Sequence, residues 1–120
     1  MTEDVQSKSE DPRLVLLSEL EEKFDPTLAR ELASAYLEDT AEVLDDLQLA
    51  ILDRDSVKVK SVAHLLRGAS KIVMAIKVEN ATGEVETLCN EGQWLKLEAS
   101  FERLSSTFNN TVEQLRQYIK

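Results

Sequence analysis

The stretch QWLKLEASFERLSSTFNNTVEQLRQYI, residues 93–119, decides the fold class. Its apolar residues are Trp94, Leu97, Phe101, Leu104, Phe108, Val112, Leu115 and Ile119. The steps are three or four residues throughout, the spacing of one face of an α-helix. A helix that is apolar on one face only must bury that face against other helices. The rest of the chain therefore has to supply partners of the same kind.

Upstream, Asn90-Glu91-Gly92 reads as a helix stop, with Gly92 free to adopt the left-handed conformation. It ends a fourth helical segment predicted over 77–90, whose stripe is Val78, Ala81, Val85 and Leu88. A third helix is predicted from the polar turn Asp53-Arg54-Asp55, capped by Asp55 or Asp53, to about residue 75. Its expected buried stripe is Val59, Val62, Leu66, Ala69, Val73 and Ile76. Asp25 as cap and Pro26 in the first turn open a second helix predicted over 26–52. Its apolar positions include Leu28, Leu32, Ala35, Tyr36, Val43, Leu44, Leu47 and Ile51, and its other face is acidic (Glu31, Glu38, Asp39, Glu42, Asp45, Asp46). A short first helix is predicted over 12–23, capped by Asp11, with Pro12 at its first position and Leu14, Leu17 and Leu20 as its stripe. Residues 1–11 read as a polar lead-in, and Met1 ahead of it leans toward a separate protein over a domain cut from a larger hybrid kinase, with both left open. The expectation is one all-α domain over 12–120. It is an antiparallel up-down four-helix bundle of the second to fifth helices, with the short additional N-terminal helix over one end.

Composition agrees and narrows the function. Of 120 residues only 3 are glycine and 2 proline, so few positions interrupt helices. Aromatics at 5% argue against a sandwich or barrel. The net charge of −9 repels nucleic acid and anionic lipid. No run is apolar enough to span a bilayer, and the lead-in is unlike a signal peptide. The single Cys89 excludes an internal disulfide, suits a reducing compartment and reads as a small buried hydrophobe. A cytoplasmic protein is expected. Three isolated glycines make no phosphate loop, and one histidine and one cysteine make no metal-ligand cluster. Ser70 has no base nearby in sequence and reads as a helix residue bonding locally.

The one histidine, His64, lies two residues from both Val62 and Leu66, so at about 100° per residue it points away from the core stripe. Its face neighbours are Lys60, Ser61, Arg67, Gly68 and Lys71, with no acidic residue on that local face. A lone surface histidine is usually neutral, and lysine and arginine favour helices anyway. Gly68 is harder to dismiss. In a helix interior it costs roughly 1 kcal/mol against alanine, and close approach of another molecule would account for it.

The run His64-Leu65-Leu66-Arg67-Gly68-Ala69-Ser70, continuing to Val73-Met74-Ala75, resembles the signature of histidine-containing phosphotransfer domains, H-x-[LF]-[KR]-G-x-[SA]-x-x-[LIV]-G-[AL]. His64, Leu66, Arg67, Gly68, Ser70, Val73 and Ala75 match, and the likeness extends over about 12–119, including the acidic Tyr36-Leu37-Glu38-Asp39 stretch. Two positions depart. The family usually has lysine where Arg67 stands, and Met74 occupies its glycine position. The second departure leads us to expect a third helix about one turn longer than in relatives.

The resemblance implies a phosphorelay. His64 would accept a phosphoryl group from a receiver-domain aspartyl phosphate, through Nε2, and another receiver would remove it. Arg67, with Lys71 and Lys60, would offset the phosphoryl charge, and Gly68 would leave clearance for the partner's loop. Ser61, Leu65 and Ile72, with parts of the first and second helices, would form the docking surface. The implied partners are receiver domains of response regulators or a hybrid histidine kinase, with neither nucleic acid nor membrane. No cofactor or metal is expected on this chain, since the receiver brings Mg²⁺. The chain would be a shuttle, not an autonomous enzyme. The alternative is a helical adaptor of the same fold whose histidine is never phosphorylated.

Overall fold

A computed structural model describes residues 12–120, so the lead-in and the expected cap Asp11 lie outside the described residues. Those residues form helices and turns only: α1 (Leu17–Phe24), α2 (Pro26–Asp39), α3 (Val43–Leu52), α4 (Ser56–Ile72), α5 (Ile76–Asn90) and α6 (Trp94–Ile119). Among the described residues no helix is long and apolar enough to cross a membrane.

Side-chain pairings fix the directions. The Tyr36 ring lies 6.3 Å from Phe108, and Arg54 reaches the Trp94 ring and Glu98, so the α2–α3 arm runs antiparallel to α6. Tyr36 meets Ser70, Arg67 meets Glu86, and Glu84 meets Ser100, which makes α4, α5 and α6 alternate in turn. Sequential arms pack and α2 closes on α6, while α4 does not reach α6. The bundle is up-down with four arms, and α1 packs on α2. Leu20, Leu47, Leu66, Leu97, Leu104 and Leu115 are fully buried in it. Each is worth roughly 1.5–3 kcal/mol in apolar burial.

The expected second helix is two. Residues 40–42 form a turn between α2 and α3. Buried Thr40 donates its hydroxyl to the Tyr36 carbonyl at 2.7 Å, the same oxygen its own N–H reaches at 3.0 Å. The helical ladder breaks here, with Val43 N–H turning to Thr40 O. The buried register of α2 also differs by one residue. Ala29 and Ala33 are buried, whereas Leu28 and Ala35 are exposed. Small side chains at the contact let neighbouring helices approach. In α4, likewise, Ala63 and Ser70 join Val59 and Leu66 in the core, with Val73 just past its end, and Val62 and Ala69 are only partly buried.

The third arm does not run to residue 75. It stops at Ile72, and Met74 stands at φ 58°, the left-handed conformation of the glycine it replaces. Ala75 N–H bonds Ser70 O and Met74 N–H bonds Lys71 O, the paired bonds of a Schellman cap. The same pair closes α3 at Arg54 (φ 54°) and α5 at Gly92 (φ 67°). The cap's bonds impose the turn, and Met74 bears a left-handed cost of about 1–2 kcal/mol. Its carbonyl accepts Leu16 N–H at 3.0 Å. That bond holds Val15 and Leu16 buried as a non-helical strap, which is why α1 begins at Leu17 and Pro12 lies outside it. Asp25 and Asp55 cap α2 and α4 as expected, accepting Leu28 N–H and Lys58 N–H.

Ser70 does not bond locally. Its hydroxyl pairs with the Tyr36 hydroxyl at 2.8 Å between α4 and α2, in the core. Burial pushes the Tyr36 phenol from 10.0 up to about 12, against the Ser70 bond, which lowers it. The neutral form is therefore favoured on folding. Its contribution is complete below pH 10 and is lost as pH rises from 10 to 12, on the order of 2 kcal/mol. Tyr36→Phe should remove that alkaline loss and cost about 1–2 kcal/mol at neutral pH by stranding the Ser70 hydroxyl. Urea unfolding at pH 7 and pH 11 reads both effects.

Candidate functional site

The outward face of α4 carries His64, Lys60, Ser61, Leu65, Arg67, Gly68, Lys71 and Ile72. His64 sits eight residues into the helix with its side chain 83% exposed. Ser61, Leu65, Gly68 and Ile72 are exposed around it, with Leu65 at 58% and Ile72 at 55% despite being apolar. The helix sorts these residues sideways. Ser61 and Leu65 border the α2–α3 turn, and Ile72 lines a crevice with Leu32 and Ala35 of α2. Lys60, Arg67 and Lys71 project toward α5.

A Cβ added to Gly68 would meet nothing within 4 Å. The chain's own packing therefore does not require glycine there. The missing side chain leaves an open notch one turn from the imidazole.

The cations are not alone, contrary to what the α4 face by itself suggested. Glu86 of α5 holds Arg67 through a 3.0 Å Nη1–Oε1 bond and places Oε2 3.6 Å from His64 Nδ1. Its side chain is only 17% exposed. At 3.6 Å the imidazole contact is an electrostatic one, too long for a hydrogen bond. Lys71 approaches Glu79 of α5 at 4.0 Å. Lys60 lies close enough to Cys89 to pull that thiol down, while burial, the larger effect, pushes it up. Glu86 was missed because α4 was read without its neighbour. The signal was there: Glu79 and Glu86 are seven apart, so two turns on one face of α5 bear acids toward the basic side of α4.

The arrangement offers a solvent-facing nitrogen at Nε2, a carboxylate beside Nδ1, and an exposed guanidinium on that carboxylate. Arg67 is 44% exposed and can turn toward an incoming anion, while Glu86, at 17%, stays fixed beside the imidazole. Among the described residues no group of three or more His, Cys, Asp or Glu side chains is arranged to hold a metal ion.

Comparison with known proteins points the same way as this geometry. A family model described as Hpt domain matches residues 31–118, which includes the whole of α4 and α5. Histidine-containing phosphotransfer protein 1 of Arabidopsis thaliana is 27% identical over 84 residues, 68% of this chain. That match spans 54% of the relative's own length, about half. No solved structure matches the chain to significance.

Proposed function

Because the chain belongs to the Hpt domain family, we propose that it is a phosphorelay carrier that accepts a phosphoryl group on His64 and gives it up again. The observation that carries the reading is the imidazole itself, 83% exposed in mid-helix beside the open notch at Gly68. The donor is the aspartyl phosphate of a receiver domain. Nε2 attacks phosphorus as the P–O bond to the aspartate breaks, and the aspartate leaves as a carboxylate. The ring then bears positive charge with its proton on Nδ1, facing the Glu86 carboxylate. A second receiver's aspartate reverses these bonds and takes the group away.

Placement supports the remaining roles in this reading. Arg67, released from Glu86, meets the phosphoryl oxygens, with Lys71 and Lys60 adding field from the same side. Leu65, Ile72 and Ser61 supply the docking surface around the nucleophile. Positioning and charge carry the transfer, so this chain needs no kinase machinery and no metal of its own. Mg²⁺ belongs to the receiver. On this reading the protein works in the cytoplasm with receivers of response regulators or of a hybrid kinase.

The test is direct. Incubation with a phosphorylated receiver domain and Mg²⁺ should leave alkali-stable, acid-labile label on the chain, the behaviour of a phosphoramidate. No label from several receivers would support the helical adaptor instead. Glu86 has its own expected result. Glu86→Gln should shift the His64 proton away from Nδ1, seen in imidazole nitrogen NMR, and slow acceptance by less than about tenfold. An unchanged proton position would refute its part in orienting the ring.

A further inference from the structure

The turn that interrupts α2 and α3 opens a groove against α4, of about 350 Å³, on the side of His64 away from its cations. Val62 and Leu65 of α4 form its apolar wall, and Glu38, Asp39, Glu42 and Asp46 surround it. Every carboxylate on the α5 side near His64 has a cationic partner, Glu86 with Arg67 and Glu79 with Lys71. Among the described residues none of the four around the groove has a lysine or arginine within ion-pair distance. Leu65 belongs to both features, since it adjoins His64 in sequence and lines the groove. A helix without the break at Thr40 would have kept Glu38 and Glu42 on one continuous face, one turn apart.

An apolar wall beneath unpaired carboxylates suits one kind of side chain. Lysine and arginine lay their methylene stems on apolar surface and keep the charged head at a polar rim. We propose that the groove receives a lysine or arginine from the docking face of the partner receiver, and that this contact selects among receivers and fixes the angle at which they approach His64. The inference rests on the carrier reading. It makes the footprint polarised across the nucleophile. The partner's anionic reaction centre lies over the α5 side, and a cation lies over the α2–α3 side. A receiver carrying an acidic residue at that second point is repelled, and one docked in the opposite sense loses both contacts.

The full-length chain with Glu38→Lys and Glu42→Lys together, and with Glu38→Gln and Glu42→Gln together, tests this. Both positions are exposed, so the fold should survive. Second-order transfer rates are measured from phosphorylated receiver domains at low and at high salt, beside labelling of His64 by phosphoramidate, a small donor that needs no docking. Charge reversal should slow receiver transfer about tenfold or more at low salt, neutralisation less, with the gap closing as salt rises. Small-donor labelling should be unchanged. Wild-type transfer that neither double variant slows, or slowing that salt does not relieve, overturns the groove proposal and leaves the carrier reading intact. A wild type labelled by no receiver overturns both.

Discussion

His64→Gln is expected to abolish phosphoryl acceptance, to background and so by at least about 10³-fold, while leaving the protein as stable as before. The loss should be total because the acceptor is an imidazole, and the buried nucleophiles Cys89 and Ser70 cannot replace it. No second histidine exists. Cys89 is buried and its thiol is pushed up by burial, which suppresses the nucleophilic thiolate. Ser70 is fully buried and its hydroxyl is bound to Tyr36. Stability should stay within about 0.5 kcal/mol, because an 83% exposed side chain contributes little burial. The one contact that is lost, to Glu86, is too long for a hydrogen bond. Labelling from a phosphorylated receiver, beside urea unfolding of the same two proteins, checks both halves. Residual label on His64→Gln with the wild type's acid lability would place the phosphoryl group elsewhere and end the assignment.

Where the sequence could and could not be read follows from the range of the interactions. The stripe of α6 was legible because helical period is local: Leu97, Phe101, Leu104, Phe108 and Leu115 are buried as their spacing required. The exposure of His64 was legible for the same reason, since its angle from Leu66 is set by the helix alone. The turn at Met74 was misjudged because methionine gives no local sign of a left-handed residue. The Schellman bonds and the Leu16 contact fix that conformation from outside. The break after Asp39 had no local sign, since Thr82 and Thr111 make the same hydroxyl bond as Thr40 to the carbonyl four residues back inside unbroken helices. Glu86 and the acidic groove share this character. Each depends on a neighbouring helix, so each lay beyond a reading of α4 taken one face at a time. The exposed face of α4 that the carrier reading uses was therefore local and readable. The contact between Glu86 and His64 and the groove beside Leu65 needed the neighbouring helices to be placed.

Gly68 should separate stability from function in opposite directions. With nothing within 4 Å of an added Cβ, Gly68→Ala meets no steric obstacle inside the protein and replaces the poorest non-proline helix former with the best. It should raise stability by about 1 kcal/mol. Gly68→Gln should raise it by a slightly smaller amount, since glutamine is also a good helix former. Both substitutions fill the notch beside His64 that, on the carrier reading, a receiver's loop enters. The glutamine side chain, longer and directed back toward the preceding turn where His64 lies, should slow receiver transfer by roughly 10–100-fold, and alanine by less. Labelling by a small phosphoryl donor should be nearly unaffected, because a small molecule does not need the clearance. Thermal unfolding and transfer kinetics on the three proteins therefore carry the decision. A variant that is more stable and slower only with receivers is what an external contact requires of this position. Glutamine at 68 with wild-type receiver kinetics would mean that the notch is not entered, and the partner would have to reach Nε2 from another direction.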